Sequence, residues 1–262
     1  MPEQPSLNPE QEKILSETLE AMKGSDVIYS IDFVPLENYR KIFDSLGDLK
    51  GKMIIDLAAG FVPIGAGEGS KYFETLGHRG ATLIPVEIDA QKAKSWRMLS
   101  PDMLSEEERE LIATKVEPVR ANAFDLPFKT GSIDGALSIN FFNLPLAEKK
   151  DLVPMLFSEL NRVLKDDGFV VLSNFGYFKH TSADGSVVYN NGIAENQIVT
   201  VKQLRQQAEE SGFQVLDIPL DNEKIKWAQD DLKRQALERN QKIKKVEIVE
   251  PTAMFLTKRK TT

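Results

Sequence analysis

The 262-residue chain has no cysteine and only two histidines, His78 and His180. Lack of cysteine excludes a disulfide framework, a thiolate metal site and a cysteine nucleophile. Long apolar runs are also missing: no stretch approaches the roughly 18 uninterrupted apolar residues of a membrane span. The N-terminal MPEQPSLNPEQEKILSE lacks the basic region and apolar core of a signal peptide. A soluble, cytoplasmic protein without membrane contact is therefore expected. Basic residues are in deficit, with 33 Lys and Arg against 40 Asp and Glu, a net charge of −7. That disfavours nucleic acid as a partner, because a phosphate backbone needs a basic field. What remains is ordinary for a globular protein, 41% hydrophobic and 28% charged. The length suits one large α/β domain with appendages.

The stretch that organises the chain is MIIDLAAG, Met53 to Gly60, followed by FVPIGAGEGS to Ser70. An apolar run ending in small residues reads as a parallel strand covered on both faces. The small residues after it allow close approach of the backbone to a ligand. In open α/β sheets ligands sit outside the carboxyl ends of the strands, so Asp56 to about Ser70 is a candidate site floor. The competing reading is a tight turn with no ligand.

Further strands are expected at Ala81–Glu87, Val116–Ala121, Gly131–Asn140, Phe169–Phe175, Gly212–Leu220 and within Val246–Lys258. Helices are expected at 9–23, 36–46, 68–76, 90–99, 105–113 and 153–165, with Pro154 in the first turn of the last. Thr200 and Gln203 form a capping box for another, ending at Gly212. Alternating strands and helices indicate a doubly wound, seven-stranded, mostly parallel sheet. Residues 1–50 form an N-terminal helical extension, packed on the sheet or serving as a lid or dimer surface. Residues 51–262 form the main domain. Within it, 175–199 is a loop insertion or small hairpin, and 221–245 is a charged helix whose mixed signs suit a solvated face.

Four segments carry a family resemblance. MIIDLAAG is similar to an apolar strand followed by Asp-x-Gly-x-Gly, and LIPVEID, Leu83 to Asp89, ends its strand on an acid. RANAFDLPF, Arg120 to Phe128, is close to Gly-Asp-Ala-x-x-Leu-Pro-Phe. ELNRVLKDDGFVVLS, Glu159 to Ser173, is close to a helix-turn-strand written E-x-x-R-V-L-K-P-G-G. In this order they resemble the class I S-adenosylmethionine-dependent methyltransferases of the small-molecule, type 11 group, over roughly Gly51 to Leu220. The resemblance implies a Rossmann-like fold and S-adenosyl-L-methionine as cofactor.

It also implies roles for particular residues. Asp56 orients the turn or reaches the cofactor's amino group, and Ala58 and Gly60 stand where the family has its first two glycines. Val62 holds the third glycine position, a departure from the pattern. Glu87, favoured over Asp89, accepts from both ribose hydroxyls, with Ile88 beside it. Asn122 stands where the family has an acid for the adenine amino group, and its carbonyl oxygen can still accept. Ala123 offers a backbone N–H to the base. Phe124 packs on the adenine ring or is a core aromatic. Asn140 and Phe141 follow the fourth strand, where cofactor and acceptor meet.

Transfer from an activated methyl donor is an in-line displacement that rests on proximity and alignment. A hydroxyl acceptor would benefit from a general base, for which His180 is the candidate and Tyr29, Tyr39, Tyr177 and Glu68 are weaker ones. His78, ahead of the second strand, lies at the wrong sheet edge. No metal site is expected. A small-molecule acceptor leads, with a possible homodimer. The alternatives are protein or RNA methylation and a non-catalytic module that only binds the cofactor. A nicotinamide enzyme is disfavoured because Gly-x-Gly-x-x-Gly is missing.

Overall fold

Three aliphatic runs form the centre of the sheet and are buried on both faces. They are β1 (Met53–Leu57), β2 (Thr82–Glu87) and β4 (Ile133–Ile139). The computed structural model describes residues 33–58, 76–77, 79–89, 118–139, 141, 149–174, 176–189, 195–238 and 243–259. The expected helices at 9–23, 90–99 and 105–113 lie outside them, as does most of the one at 68–76.

With β3 (Val119–Arg120), β5 (Leu164–Asn174), β8 (Phe213–Asp217) and β10 (Thr252–Lys258), these runs make a seven-stranded sheet ordered β3-β2-β1-β4-β5-β10-β8. The pairs β1–β2, β1–β4, β2–β3 and β4–β5 are parallel, whereas β10 runs antiparallel to both β5 and β8. This is the expected mostly parallel, doubly wound fold.

One sheet face, with Ile55, Leu57, Ile84 and Ala136, packs on α2 (Lys149–Val163) and α3 (Val201–Glu210) through Leu156, Phe157, Leu160, Leu204 and Ala208. The other face, with Ile54, Leu83, Leu137 and Val171, packs on α1 (Leu36–Ser45) through Tyr39 and Phe43. Those two rings lie four residues apart and stack at 6.2 Å. Helix α1, at the end of the expected N-terminal extension, thus packs on the sheet, and residues 1–32 of that extension lie outside the described residues.

Two local features differ from expectation. Helix α2 begins at Lys149, so Pro154 lies inside it rather than in its first turn. Proline there removes one helical hydrogen bond, and the apolar face of Leu152, Val153, Leu156 and Phe157 is buried all the same. The turn at Asp166–Gly168 lies within β5, whose pairing to β4 jumps from Ile133↔Leu164 to Gly135↔Phe169. The Phe169 ring fills the space a side chain at Gly135 would need. Asp134, 5% exposed, accepts from the Met53 N–H at 3.0 Å and from Lys165 Nζ at 2.8 Å, pinning the amino ends of three strands.

A second sheet was not expected. Strands β6 (Tyr177–Ser182), β7 (Val187–Tyr189) and β9 (Ile243–Val249) form an antiparallel sheet ordered β7-β6-β9. Within the stretch expected as a loop insertion or small hairpin, residues 177–189 form a hairpin. The charged helix, α4 (Asn222–Glu238), ends well before 245. In IKKVEIV, Val246 and Ile248 alternate with charged or half-buried positions, which is strand period; the charge run concealed it. Ala228 of α4 packs with Phe33, Phe178 and Ile248 on this sheet.

The two sheets share one ribbon. The pairing Asn174↔Thr252 resumes as Tyr177↔Val249, three residues on along one strand and three back along the other. At the corner Gly176 and Glu250 both have positive φ, 84° and 56°. The Glu250 carboxylate accepts from the Val201 N–H at 2.7 Å, capping α3 beside the Thr200–Gln203 capping box. A favourable contact of an anion with a helix N-terminus offsets the backbone strain at Glu250.

A Cβ at Gly176 would overlap the Val249 carbonyl oxygen and stand 2.7 Å from the Pro251 nitrogen. Gly176→Ala is therefore expected to cost at least about 2 kcal/mol, or roughly 4–8 °C in Tm. Thermal unfolding followed by circular dichroism checks this; an unchanged Tm would show that the corner is not constrained.

Candidate active site

The carboxyl ends of β1 and β2 bring two acids together. Asp56 pairs with Pro85, and Glu87 lies two residues further along β2, so both side chains leave the same face. They are 4% and 6% exposed. Burial, and then the Glu87 charge, raise the Asp56 carboxyl well above its usual range. Glu87 is oriented from its own turn: Oε1 accepts from the Asp89 N–H at 3.1 Å. Directly after β1, Ala58 has a φ of 53°, a conformation that favours glycine. It stands where the resemblance places the family's first glycine.

The chain after β3 is tied to the same edge. The Ala121 N–H donates to the Glu87 carbonyl at 3.1 Å, and Arg120 Nε donates to the Ile88 carbonyl at 3.1 Å. Asn122 Oδ1 accepts from the Phe124 N–H at 3.0 Å, and its carbonyl accepts from Asp125 at 3.1 Å. Ala123 lies within this turn. One lone pair of the Asn122 amide oxygen is therefore already used in shaping the turn. Phe124 meets the ring of Phe141 edge-on at 5.8 Å, and Phe141, 4% exposed, belongs to the core.

Two residues without an assigned role in the sequence reading hold this segment. Glu159 and Arg162, one turn apart on α2, pair through Arg162 Nε to Oε2 at 2.8 Å and Nη2 to Oε1 at 2.6 Å. Glu159 Oε1 also accepts from the Leu126 N–H at 2.6 Å, while Arg162 donates to the carbonyls of Phe128 at 2.8 Å and Leu126 at 2.9 Å. Their spacing in ELNRV was the available signal. Backbone partners about 35 residues earlier in sequence are not visible in it.

The base candidates do not join this edge in one group. His180 is on β6, on the face it shares with Phe178 and its cross-strand partner Val246, which belongs with the packing against α4. Its Nδ1 is buried with no hydrogen-bond partner among the described residues, and burial lowers the ring's pKa. The Tyr177 phenol is pushed up to about 12 by burial and accepts from the Val199 N–H at 3.2 Å. A phenol held neutral that far is a poor resident base. Tyr39 is a core ring under α1. Gly60, Asn140, His78, Glu68 and Tyr29 lie outside the described residues.

Among the described residues, no three of His, Cys, Asp or Glu are grouped to hold a metal ion. No helix there is long and apolar enough to cross a membrane.

Residues 62–172 match the family described as a methyltransferase domain. No curated protein matches the chain. Solved structures share its fold at low identity. A SAM-dependent methyltransferase from Aquifex aeolicus superposes with a TM-score of 0.50 at 12% identity, over 97% of this chain and 98% of that one. The 1,6-didemethyltoxoflavin-N1-methyltransferase of Burkholderia thailandensis, solved with its substrate and S-adenosylhomocysteine, gives 0.52 at 14% identity, over 99% and 93%. The geranyl diphosphate C-methyltransferase of Streptomyces coelicolor A3(2) gives 0.51 at 14% identity, over 99% and 86%. Residues 62–172 thus carry a methyltransferase domain, and the sheet of this strand order has the fold of the similar methyltransferase structures.

Proposed function

We propose that the chain methylates a small-molecule acceptor, with the cofactor lying along the sheet edge from β3 to β1. The observation that carries this reading is the pair of buried carboxyls, Asp56 and Glu87, on one face at that edge. Burial and the Glu87 charge make Asp56 hold its proton, and an acid pair at this edge suits a ligand bringing positive charge and hydroxyl donors. S-adenosylmethionine, when bound, supplies an activated methyl group for in-line displacement.

The chain's own residues then bind and align. Glu87 accepts from the ribose hydroxyls, with Ile88 fixed beside it by Arg120. Asp56 faces the cationic methionine end, and Ala58 and Gly60 let the backbone come close. Asn122, Ala123 and Phe124 border the adenine, held by Glu159 and Arg162. Asn140 and Phe141 stand between cofactor and acceptor. Catalysis on this reading is alignment with water excluded, and needs no covalent step by the protein. His180 has no part in it, because its ring lies on the face packed toward α4. The net charge of −7 and the small-molecule acceptors named for two of the similar structures support a metabolite over a nucleic acid.

Calorimetry with S-adenosylhomocysteine tests the site. Glu87→Ala is expected to weaken binding at least about tenfold with an unchanged circular dichroism spectrum, since charged hydrogen bonds are lost. Equal affinity would remove Glu87 from the site. Arg162→Ala is expected to weaken binding about three- to tenfold by loosening the turn at Asn122; no change would show that the turn holds its shape unaided. Because Asp56 keeps its proton above the usual carboxyl range, a bound cation lowers its pKa and binding of S-adenosylmethionine releases a proton. Affinity then rises with pH through the free protein's Asp56 titration. Binding enthalpies that do not depend on the buffer's ionisation enthalpy would overturn this.

A further inference from the structure

The edge that carries the acids continues past β1 to β4 and β5, and there two polar side chains are buried without partners. Asn174 ends β5 and Ser138 lies next to the end of β4; both are 1% exposed. Neither the Asn174 Oδ1 and Nδ2 nor the Ser138 hydroxyl has a hydrogen-bond partner among the described residues. Buried polar groups in folded proteins are nearly always paired, so two together need a physical explanation.

Their placement is specific. Ser138 pairs with Leu172, and Asn174 is two residues further along β5, so the two are diagonal neighbours on one face. Thr252 is directly opposite Asn174 on β10. That face is the one with Leu57, Ala136 and Met254, whereas Asp56 and Glu87 leave the other. With neighbouring strands about 4.8 Å apart, Asn174 is about 10 Å along the edge from the end of β1. The adenosine reading occupies the ends of β3, β2 and β1, which leaves β4 and β5 for the molecule that meets the methyl group. The closest acid by register, Glu250 at the corner, is engaged at the start of α3.

We propose that Asn174, with Ser138 beside it, is the hydrogen-bonding floor of the methyl-acceptor subsite and takes an uncharged group offering both a donor and an acceptor, as a carboxamide or cyclic lactam does. This rests on the methyltransferase reading of the same edge. The side-chain amide presents the complementary pair, Oδ1 to the donor and Nδ2 to the acceptor, and the Ser138 hydroxyl can serve either. The charged groups on this side are already engaged, Asp217 with Arg205, Glu159 with Arg162 and Lys258 with the carbonyls of Asn161 and Leu164, so a charged acceptor group would have to break an existing pair.

The test uses 2-pyridone as a neutral lactam probe, with benzoate and benzylamine as anionic and cationic controls, on full-length protein saturated with S-adenosylhomocysteine. Ligand-observed NMR titration is expected to show millimolar binding of 2-pyridone, weakened at least about tenfold in Asn174→Leu and about threefold in Ser138→Ala. The affinity for S-adenosylhomocysteine is expected to stay the same in both. No binding of 2-pyridone up to about 20 mM overturns the proposal, as does equal binding by wild type and variants. So does a charged control that binds more tightly and loses affinity in Asn174→Leu. Should Asn174→Leu fail to fold, Ser138→Ala and Asn174→Ser decide by the same readout. If wild type does not bind S-adenosylhomocysteine, the cofactor reading fails. If it does, and the lactam result is negative, only the subsite fails.

Discussion

Asp56 and Glu87 set the constraint around which the molecule is arranged: two carboxyl groups on adjacent parallel strands, on one face and almost out of water. Burial and the neighbouring Glu87 charge favour the protonated form of Asp56. Keeping both acids on one face requires that β1 and β2 stay in register. The fold supplies this with apolar residues on both faces of the strands and α1 clasped over the acid-bearing face. At the opposite end, Asp134 ties β1, β4 and β5 with charged hydrogen bonds.

The turn after β3 shows how a short segment becomes exact enough to border a ligand. Its own hydrogen bonds are local, from Asn122 to Phe124 and Asp125. A local turn of this kind would move as a unit. The Glu159–Arg162 pair fixes it from below by reaching three backbone groups of Leu126 and Phe128. Arginine suits this task because its planar fork donates in several directions at once while remaining charged. The pair therefore links α2 to the sheet edge, and a helix otherwise concerned with core packing affects the site.

Beyond β5 the same logic gives a second sheet without a second independent core. One antiparallel ribbon runs through both sheets and turns at Gly176 and Glu250. Turning a paired ribbon without losing register needs backbone conformations that most residues disfavour. Glycine supplies one at Gly176, and a charged contact with the start of α3 compensates the other at Glu250. The corner begins two residues after Asn174, which places that buried amide between the two sheets.

The sequence by itself determined the parallel centre of the fold, the order of its strands along the chain and the capping box at Thr200, because these depend on local periodicity and short hydrogen-bonded motifs. The motifs that resemble the methyltransferases were legible for the same reason: each is a contiguous stretch. Only the tertiary structure decided that 243–249 is a strand, that 177–189 is a hairpin paired to it, and that Glu159 and Arg162 hold the turn near Asn122. It also decided that His180 shares a face with the packing against α4 and that Asn174 is buried with no hydrogen-bond partner among the described residues. Strand pairing and side-chain partners far apart in sequence leave no local pattern, since which face or backbone group a residue meets is fixed by how distant segments come together.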